Sequence, residues 1–223
     1  MTRTAEQVPV EQRAASEQAI KKAALRLFSE KGFYSTSTRE LTEAAGVSKG
    51  TLYWHFRSKE EVAFSLVSDM LGDFLGLVER ARDEEGPVID RMERLVGAVA
   101  ALYYQETDYL RLLWKFRADR HYIFSPEYTE KVTSYYVRIR KSLESVIEQG
   151  IASGEFREVD SKQMAFIMLG ITEGLEVEWL ENEAEFSMSD ALEVTMAMLM
   201  DSMRKPDVAV AATRRPKAKG AKG

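Results

Sequence analysis

The chain has 223 residues, 45% of them apolar and 30% charged, which is enough apolar mass for a buried core and excludes wholesale disorder. It has no cysteine and two histidines, which excludes disulfide frameworks, thiolate zinc sites and cysteine nucleophiles. The net charge of −5, taken whole, argues mildly against nucleic acid.

In chain order, residues 1–14 are polar and read as a flexible arm. Residues 16–31 set Ile20, Ala23, Ala24, Leu27 and Phe28 on one helical face, with Gly32 at the stop. Ser37 and Glu40 form a capping box for a short helix holding Leu41, Ala44 and Ala45, which Gly46 ends. Ser48 caps a second short helix with Leu52 and Phe56 at i, i+4. Ser58 and Glu61 form another capping box, opening a long helix from Ser58 to about Arg82 through Leu66, Met70, Phe74 and Val78. Gly86-Pro87 punctuates. Further helices are marked by Ile89 to Tyr103, by Tyr109 to Phe116, and from Ser125-Pro126 to Val146, where Gly150 and Gly154 close the run. Asp160 and Gln163 cap an eighth helix to about Leu180, and a ninth covers Asp190 to Met203. No stretch alternates like a strand. The class is all-α, with about nine helices.

The charge is segregated. Residues 1–60 hold 10 basic and 7 acidic side chains, residues 61–203 hold 14 and 28, and residues 204–223 hold 7 and 1. An acidic body carries a basic head and a basic tail, as a division between nucleic-acid contact and another task requires. Residues 205–223 lack core formers and read as a disordered basic tail. The N-terminus has no apolar signal core, and no apolar run reaches the ~20 residues of a membrane span. A cytoplasmic protein without membrane attachment is expected. Neither His55 nor His121 has a ligand-type neighbour at i+4, so no metal and no cofactor is expected.

Leu41 to Phe56 reads as a helix-turn-helix unit. Leu41, Ala44, Ala45, Val47, Leu52 and Phe56 form the wedge between its helices. That leaves Lys49, Gly50, Thr51, Tyr53 and Trp54 outward, with His55, Arg57 and Lys59 close by. Two aromatics among cations suit a surface pressed on phosphates.

The runs Ala24-Leu25-Arg26-Leu27-Phe28, Thr36-Ser37-Thr38-Arg39-Glu40-Leu41, Ala44-Ala45-Gly46-Val47-Ser48-Lys49-Gly50-Thr51-Leu52-Tyr53-Trp54-His55-Phe56 and Lys59-Glu60-Glu61 resemble the DNA-binding domain of TetR-type transcriptional regulators. Thr42 stands where that family usually has a small apolar residue. The resemblance implies a helix-turn-helix domain at 15–61 and a helical effector-binding and dimerisation domain at 62–204. It implies a homodimer on a palindromic double-stranded DNA operator, with third helices in successive major grooves. Thr36, Thr38, Tyr53, Trp54, His55 and Lys59 would meet phosphates, and Ser37, Arg39 and Ser48 would also contact the DNA. Lys49, Gly50 and Thr51 would lie nearest base edges. A ligand in the body would tilt the fourth helix and release DNA, given a preference of ~3–5 kcal/mol for the released form.

The body supplies two expectations of its own. Aromatic and basic side chains interleave over residues 103–136, so Tyr103, Trp114, Arg117, His121, Tyr122, Phe124, Tyr128 and Tyr136 are candidates for an effector pocket. Met164 and Met168 would add an adaptable wall. The expected ligand is small and hydrophobic or amphipathic. The eighth and ninth helices are apolar nearly all round, which places Phe166, Gly170, Gly174, Val177, Leu192, Met196 and Leu199 at a dimer interface. The competing reading is an all-α adaptor, or a DNA-binding protein without an effector. No phosphate loop, HExxH or GxSxG motif supports an enzyme.

Overall fold

The computed structural model describes residues 10–105, 107–182 and 185–205. Among these residues there are nine helices and no strand: α1 (Val10–Lys31), α2 (Thr38–Ala45), α3 (Lys49–His55), α4 (Lys59–Asp83), α5 (Val88–Gln105), α6 (Thr107–Ile123), α7 (Pro126–Ser153), α8 (Ser161–Glu181) and α9 (Met188–Met203). Helices α1 to α3 form a head. Helix α4 runs from the head into a body, where it packs chiefly on α7; α7 also packs on α8, and α9 packs against α5 and α8.

The caps are local in origin. The Ser37 hydroxyl accepts from the Glu40 N–H while Glu40 accepts from the Ser37 N–H, as expected of a capping box. At α4, the Ser58 hydroxyl accepts from the Glu61 N–H, but Glu61 accepts from the Arg57 N–H rather than closing back on Ser58. Gly46 turns the chain between α2 and α3 at φ 65°, a left-handed conformation that costs glycine nothing.

Three local expectations are corrected. Helix α1 starts at Val10, so residues 10–14 of the expected arm are helical, with Glu11 favourably placed in the first turn. Residues 1–9, and the tail beyond Lys205, lie outside the described residues. Ala44 is exposed, while Thr42 is buried in its stead. The Thr42 hydroxyl donates to the Arg39 carbonyl at 2.8 Å, so its polar atom is satisfied inside its own helix. Gly150 does not stop α7, which runs on to Ser153. Its bare Cα instead admits the ring of buried Phe156, which a Cβ there would meet at 2.3 Å.

Head and body share one apolar core. Phe28, fully buried at the end of α1, stands 5.5 Å from the Phe33 ring and 6.0 Å from that of Phe116 on α6. Within the body, buried Arg91 donates to the carbonyls of Ala81 and Arg82 and to the Gln149 side chain, tying α5 to α4 and α7.

Candidate nucleic-acid interface and internal cavity

The outward face of α3 is built as its spacing implies. Leu52 and Phe56 turn inward and are buried, so Lys49, Tyr53 and Trp54 turn out. Tyr53 and Trp54 are 45% and 48% exposed. The Lys49 ammonium lies 5.8 Å from the centre of the Tyr53 ring. The Ser48 hydroxyl caps α3 by accepting from the Thr51 N–H. A Cβ on Gly50 would meet only the Ser48 hydroxyl, at 3.6 Å. The protein itself therefore tolerates alanine at 50, and the space in front of it is free for an outside molecule. On α2, Thr38 is half-buried and exposed Arg39 pairs with Glu43 at 2.7 Å. Glu40 is held down to about 2, first by Lys31 and then by the Ser37 N–H and hydroxyl.

Three expected phosphate contacts prove to be internal. Thr36 is 1% exposed, and its hydroxyl donates to the Gly32 carbonyl at 2.9 Å. The Lys59 ammonium donates to the carbonyls of Phe33 and Thr36, both at 2.7 Å, and lies 4.2 Å from the centre of the Phe33 ring. It ties the start of α4 to the α1–α2 turn, and burial lowers its pKa against the opposing pull of Glu40. His55 turns back toward α1, with its Nε2 2.7 Å from the Ser16 hydroxyl. That hydroxyl donates to the Arg13 carbonyl, so its oxygen is left to accept from His55. Burial lowers the His55 pKa, partly offset by Glu17 at 3.9 Å.

A pH dependence follows from His55. Its folded pKa lies below the ordinary ~6.5, so the unfolded chain takes up the proton first as pH falls. Its contribution to stability is full above about pH 6.5 and is lost as pH falls toward the folded value. Thermal melts at about pH 7.5 and 5.5 should show a smaller acid loss in His55→Asn than in the unaltered chain. Equal losses would mean that His55 titrates alike in both states.

Arg13 joins this face, which the sequence did not signal. Its guanidinium lies 5.1 Å from the centre of the Trp54 ring. Together with Ser16, Ser48, Gly50, Thr51 and Trp54 it lines a cleft of about 310 Å³.

The body holds a cavity of about 460 Å³. Helix α4 contributes Met70, Leu71 and Phe74, α6 contributes Leu113, Trp114 and Arg117, α7 contributes Tyr136 and Ile139, and α8 contributes Leu169, Gly170, Thr172, Glu173, Gly174, Glu176 and Val177. The Arg117 guanidinium bonds both carboxylate oxygens of Glu173, at 2.5 and 2.6 Å, and lies 5.5 Å from the centre of the Tyr136 ring. An apolar space of about 40 Å³ adjoins it across Phe74, Leu169 and Thr172, lined by Met92, Met168 and Met196. Of the expected pocket residues, Trp114, Arg117 and Tyr136 converge here.

The others do not. Phe124 packs in an aromatic cluster with Phe116 and Phe64, and Tyr128 stacks on Phe64 with centroids 4.5 Å apart. Tyr122 is 81% exposed in the last turn of α6, past the cavity. Met164 packs on the edge of the core, and Met168 reaches only the smaller space. The side chains of Tyr103 and His121 lie outside the described residues. Glu173, bonded to Arg117 on the cavity wall, was not foreseen.

Two models of one family match this chain. "Bacterial regulatory proteins, tetR family" covers residues 20–66, and "Tetracyclin repressor-like, C-terminal domain" covers residues 85–203, more than half of the chain. The chain belongs to the tetR family of bacterial regulatory proteins. It is similar to the transcriptional repressor KstR2 of Rhodococcus jostii, 23% identical over 82% of this chain and 88% of that protein. It is similar to the regulator AcrR of Shigella flexneri, 27% identical over 85% and 92%. The crystal structure of the regulator FadR from Bacillus subtilis in complex with stearoyl-CoA shares the fold, with a TM-score of 0.71 at 19% identity over 84% of this chain and 99% of that one. This member of the tetR family is a DNA-binding transcriptional regulator. Among the described residues, no helix is long and apolar enough to cross a membrane.

The regulator's apolar outer face differs in part from expectation. Phe166 and Ile167 on α8 are exposed, as are Val194 and Met198 on α9, the last at 69%. Leu192 and Met196 are buried against their own domain, because the i, i+4 row they share with Met188 and Met200 faces inward. Val177 lines the cavity, and so do Gly170 and Gly174, where an added Cβ would meet nothing within 4 Å. Leu199 is half-buried.

Proposed function

We propose that this regulator is a homodimeric repressor that leaves a palindromic operator when a small apolar or amphipathic molecule enters the body cavity. It acts where the DNA lies, in the cytoplasm, and needs no bond-making step. One observation carries the reading. The helices that wall the cavity are the ones that hold the DNA-binding head. Helix α4 lines the cavity with Phe74 and grips the head with Lys59. Helix α6 lines it with Trp114, while the adjacent Lys115 donates to the Ser29 carbonyl and Phe116 packs on Phe28. The first turn of α4 is also tied to the α6–α7 turn, where Glu60 accepts from the Ser125 N–H at 2.6 Å. A ligand that spreads α4 from α6 therefore acts on the head at several points. It shifts the equilibrium by its preference for the spread form.

The exposed row of Phe166, Ile167, Val194 and Met198 supports self-association through α8 and α9. Two copies so joined set two α3 helices for half-sites about 34 Å apart. On α3, Lys49, Gly50 and Thr51 approach base edges. Tyr53 and Trp54, with Ser37, Thr38, Arg39 and Ser48, meet the backbone.

The test is a gel shift on the DNA upstream of the protein's own gene. Lys49→Ala and Tyr53→Ala are each expected to weaken binding by about 5- to 100-fold. Affinity should fall steeply with salt. Normal binding by both variants would remove α3 from the interface.

A further inference from the structure

Helix α1 begins at Val10, about three turns before its first core residue, Ile20. Among residues 11–19 no side chain is buried and none joins the apolar core. Core packing therefore does not account for this extension. It carries a polar stripe instead. Arg13, Ser16 and Glu17 stand at i, i+3 and i+4, which places them on one helical face, and all three are half-buried.

Each of the three meets α3. The Arg13 guanidinium lies 5.1 Å from the centre of the Trp54 ring. The Ser16 hydroxyl is 2.7 Å from His55 Nε2, and the Glu17 carboxylate is 3.9 Å from His55 Nδ1. His55 in turn meets Trp54 edge to face, with centroids 4.5 Å apart and planes at 85°. The indole is thus held at two points, by Arg13 directly and by His55, which Ser16 fixes. Both points trace back to α1.

Trp54 is nevertheless 48% exposed, so the ring is held and still uncovered. An exposed side chain without such contacts exchanges rotamers, and ordering it on binding costs affinity. A ring ordered beforehand avoids that cost. Arginine suits the task, because its planar guanidinium stacks on aromatic faces and indole is the best of the aromatic partners.

We propose, resting on the reading of α3 as the DNA-contacting helix, that Arg13 is a positioning residue for DNA binding: from the first turns of α1 it sets the Trp54 indole in place, backed by Ser16 and His55, before α3 meets the operator.

The test is a double-variant cycle on the full chain, with DNA from upstream of the protein's own gene and Kd measured at four salt concentrations. Trp54→Ala is expected to weaken binding. Arg13→Ala is expected to weaken it about 2- to 5-fold, as the loss of an exposed cation–ring pair implies. In the Trp54→Ala background Arg13→Ala should cause no further loss, since no ring remains to be placed. The slope of log affinity against log salt should stay unchanged. Arg13→Lys, which keeps a cation over the ring, should recover part of the affinity. An equal loss from Arg13→Ala in both backgrounds would mark a general defect of α1 and overturn the assignment. A slope lowered by about one would place Arg13 itself on a phosphate and overturn it too. If Trp54→Ala weakens binding and Arg13→Ala does not, the reading of α3 stands and the positioning role falls. If Trp54→Ala binds normally, the indole is off the DNA, and that part of the reading falls together with the role of Arg13.

Discussion

Phe28→Ala is expected to cost the folded state about 3–5 kcal/mol, the usual range for removing a fully buried phenylalanine. The ring has no exposed surface and lies between Phe33 of the head and Phe116 of the body. Its loss opens a void where two units meet, and neither can collapse into it without moving the other. Urea unfolding is the measurement, with the midpoint falling and DNA affinity falling with it. Phe28→Leu refills part of the space and should recover part of the loss. An unfolding free energy within ~0.5 kcal/mol of the unaltered chain's would show that head and body do not depend on this joint.

Lys59→Met is expected to weaken DNA binding without altering its salt dependence. The ammonium is spent on two carbonyls and an aromatic face inside the protein, so it neutralises no phosphate. Methionine keeps the apolar stem and removes the donors. The loss of charge-assisted hydrogen bonds at two carbonyls costs about 1.5–3 kcal/mol for each bond that water does not replace. The α1–α2 turn then loosens, and α2 and α3 lose their fixed placement. A true phosphate contact behaves differently. Its removal lowers the slope of log affinity against log salt by about one. Measuring Kd at four salt concentrations separates the two, and a slope reduced by one unit would place Lys59 on the DNA.

Lys59 also shows where sequence reasoning stops. The helices were legible because apolar spacing and capping residues act within a few positions. Leu27, Phe28, Leu41, Leu52 and Phe56 were placed inward correctly on that basis. The outward set of α3 was legible as the complement of Leu52 and Phe56. His55 and Lys59 were misread because each is decided by a partner from another segment, and Thr36 because its hydroxyl folds back on the Gly32 and Leu27 carbonyls at the end of α1. For His55 that partner is Ser16 and for Lys59 it is the carbonyl of Phe33. A run of aromatics such as residues 103–136 shows that apolar surface is plentiful, but not which side chains share a space. Trp114 and Arg117 lie three apart on α6 and face α8, whereas Phe116 between them faces α1. Glu173 was legible only as one more acidic residue on α8, since its meaning comes from Arg117 56 positions earlier.

The continuity of α4 sets the gain of the device. From the cavity wall at Met70 to Phe74 back to Lys59 is about 11–15 residues, or roughly 17–22 Å of helix. Treated as a rigid arm of about 20 Å, a rotation of about 5° at the wall carries the far end roughly 1.7 Å. That displacement falls inside the ~1–2 Å range of helix shifts that switch protein interfaces. With two arms related by a two-fold axis, their separation changes by up to about twice as much, set against a groove repeat of about 34 Å. On the proposed reading, a small angular change at the cavity would be multiplied, by length alone, into a mismatch with DNA.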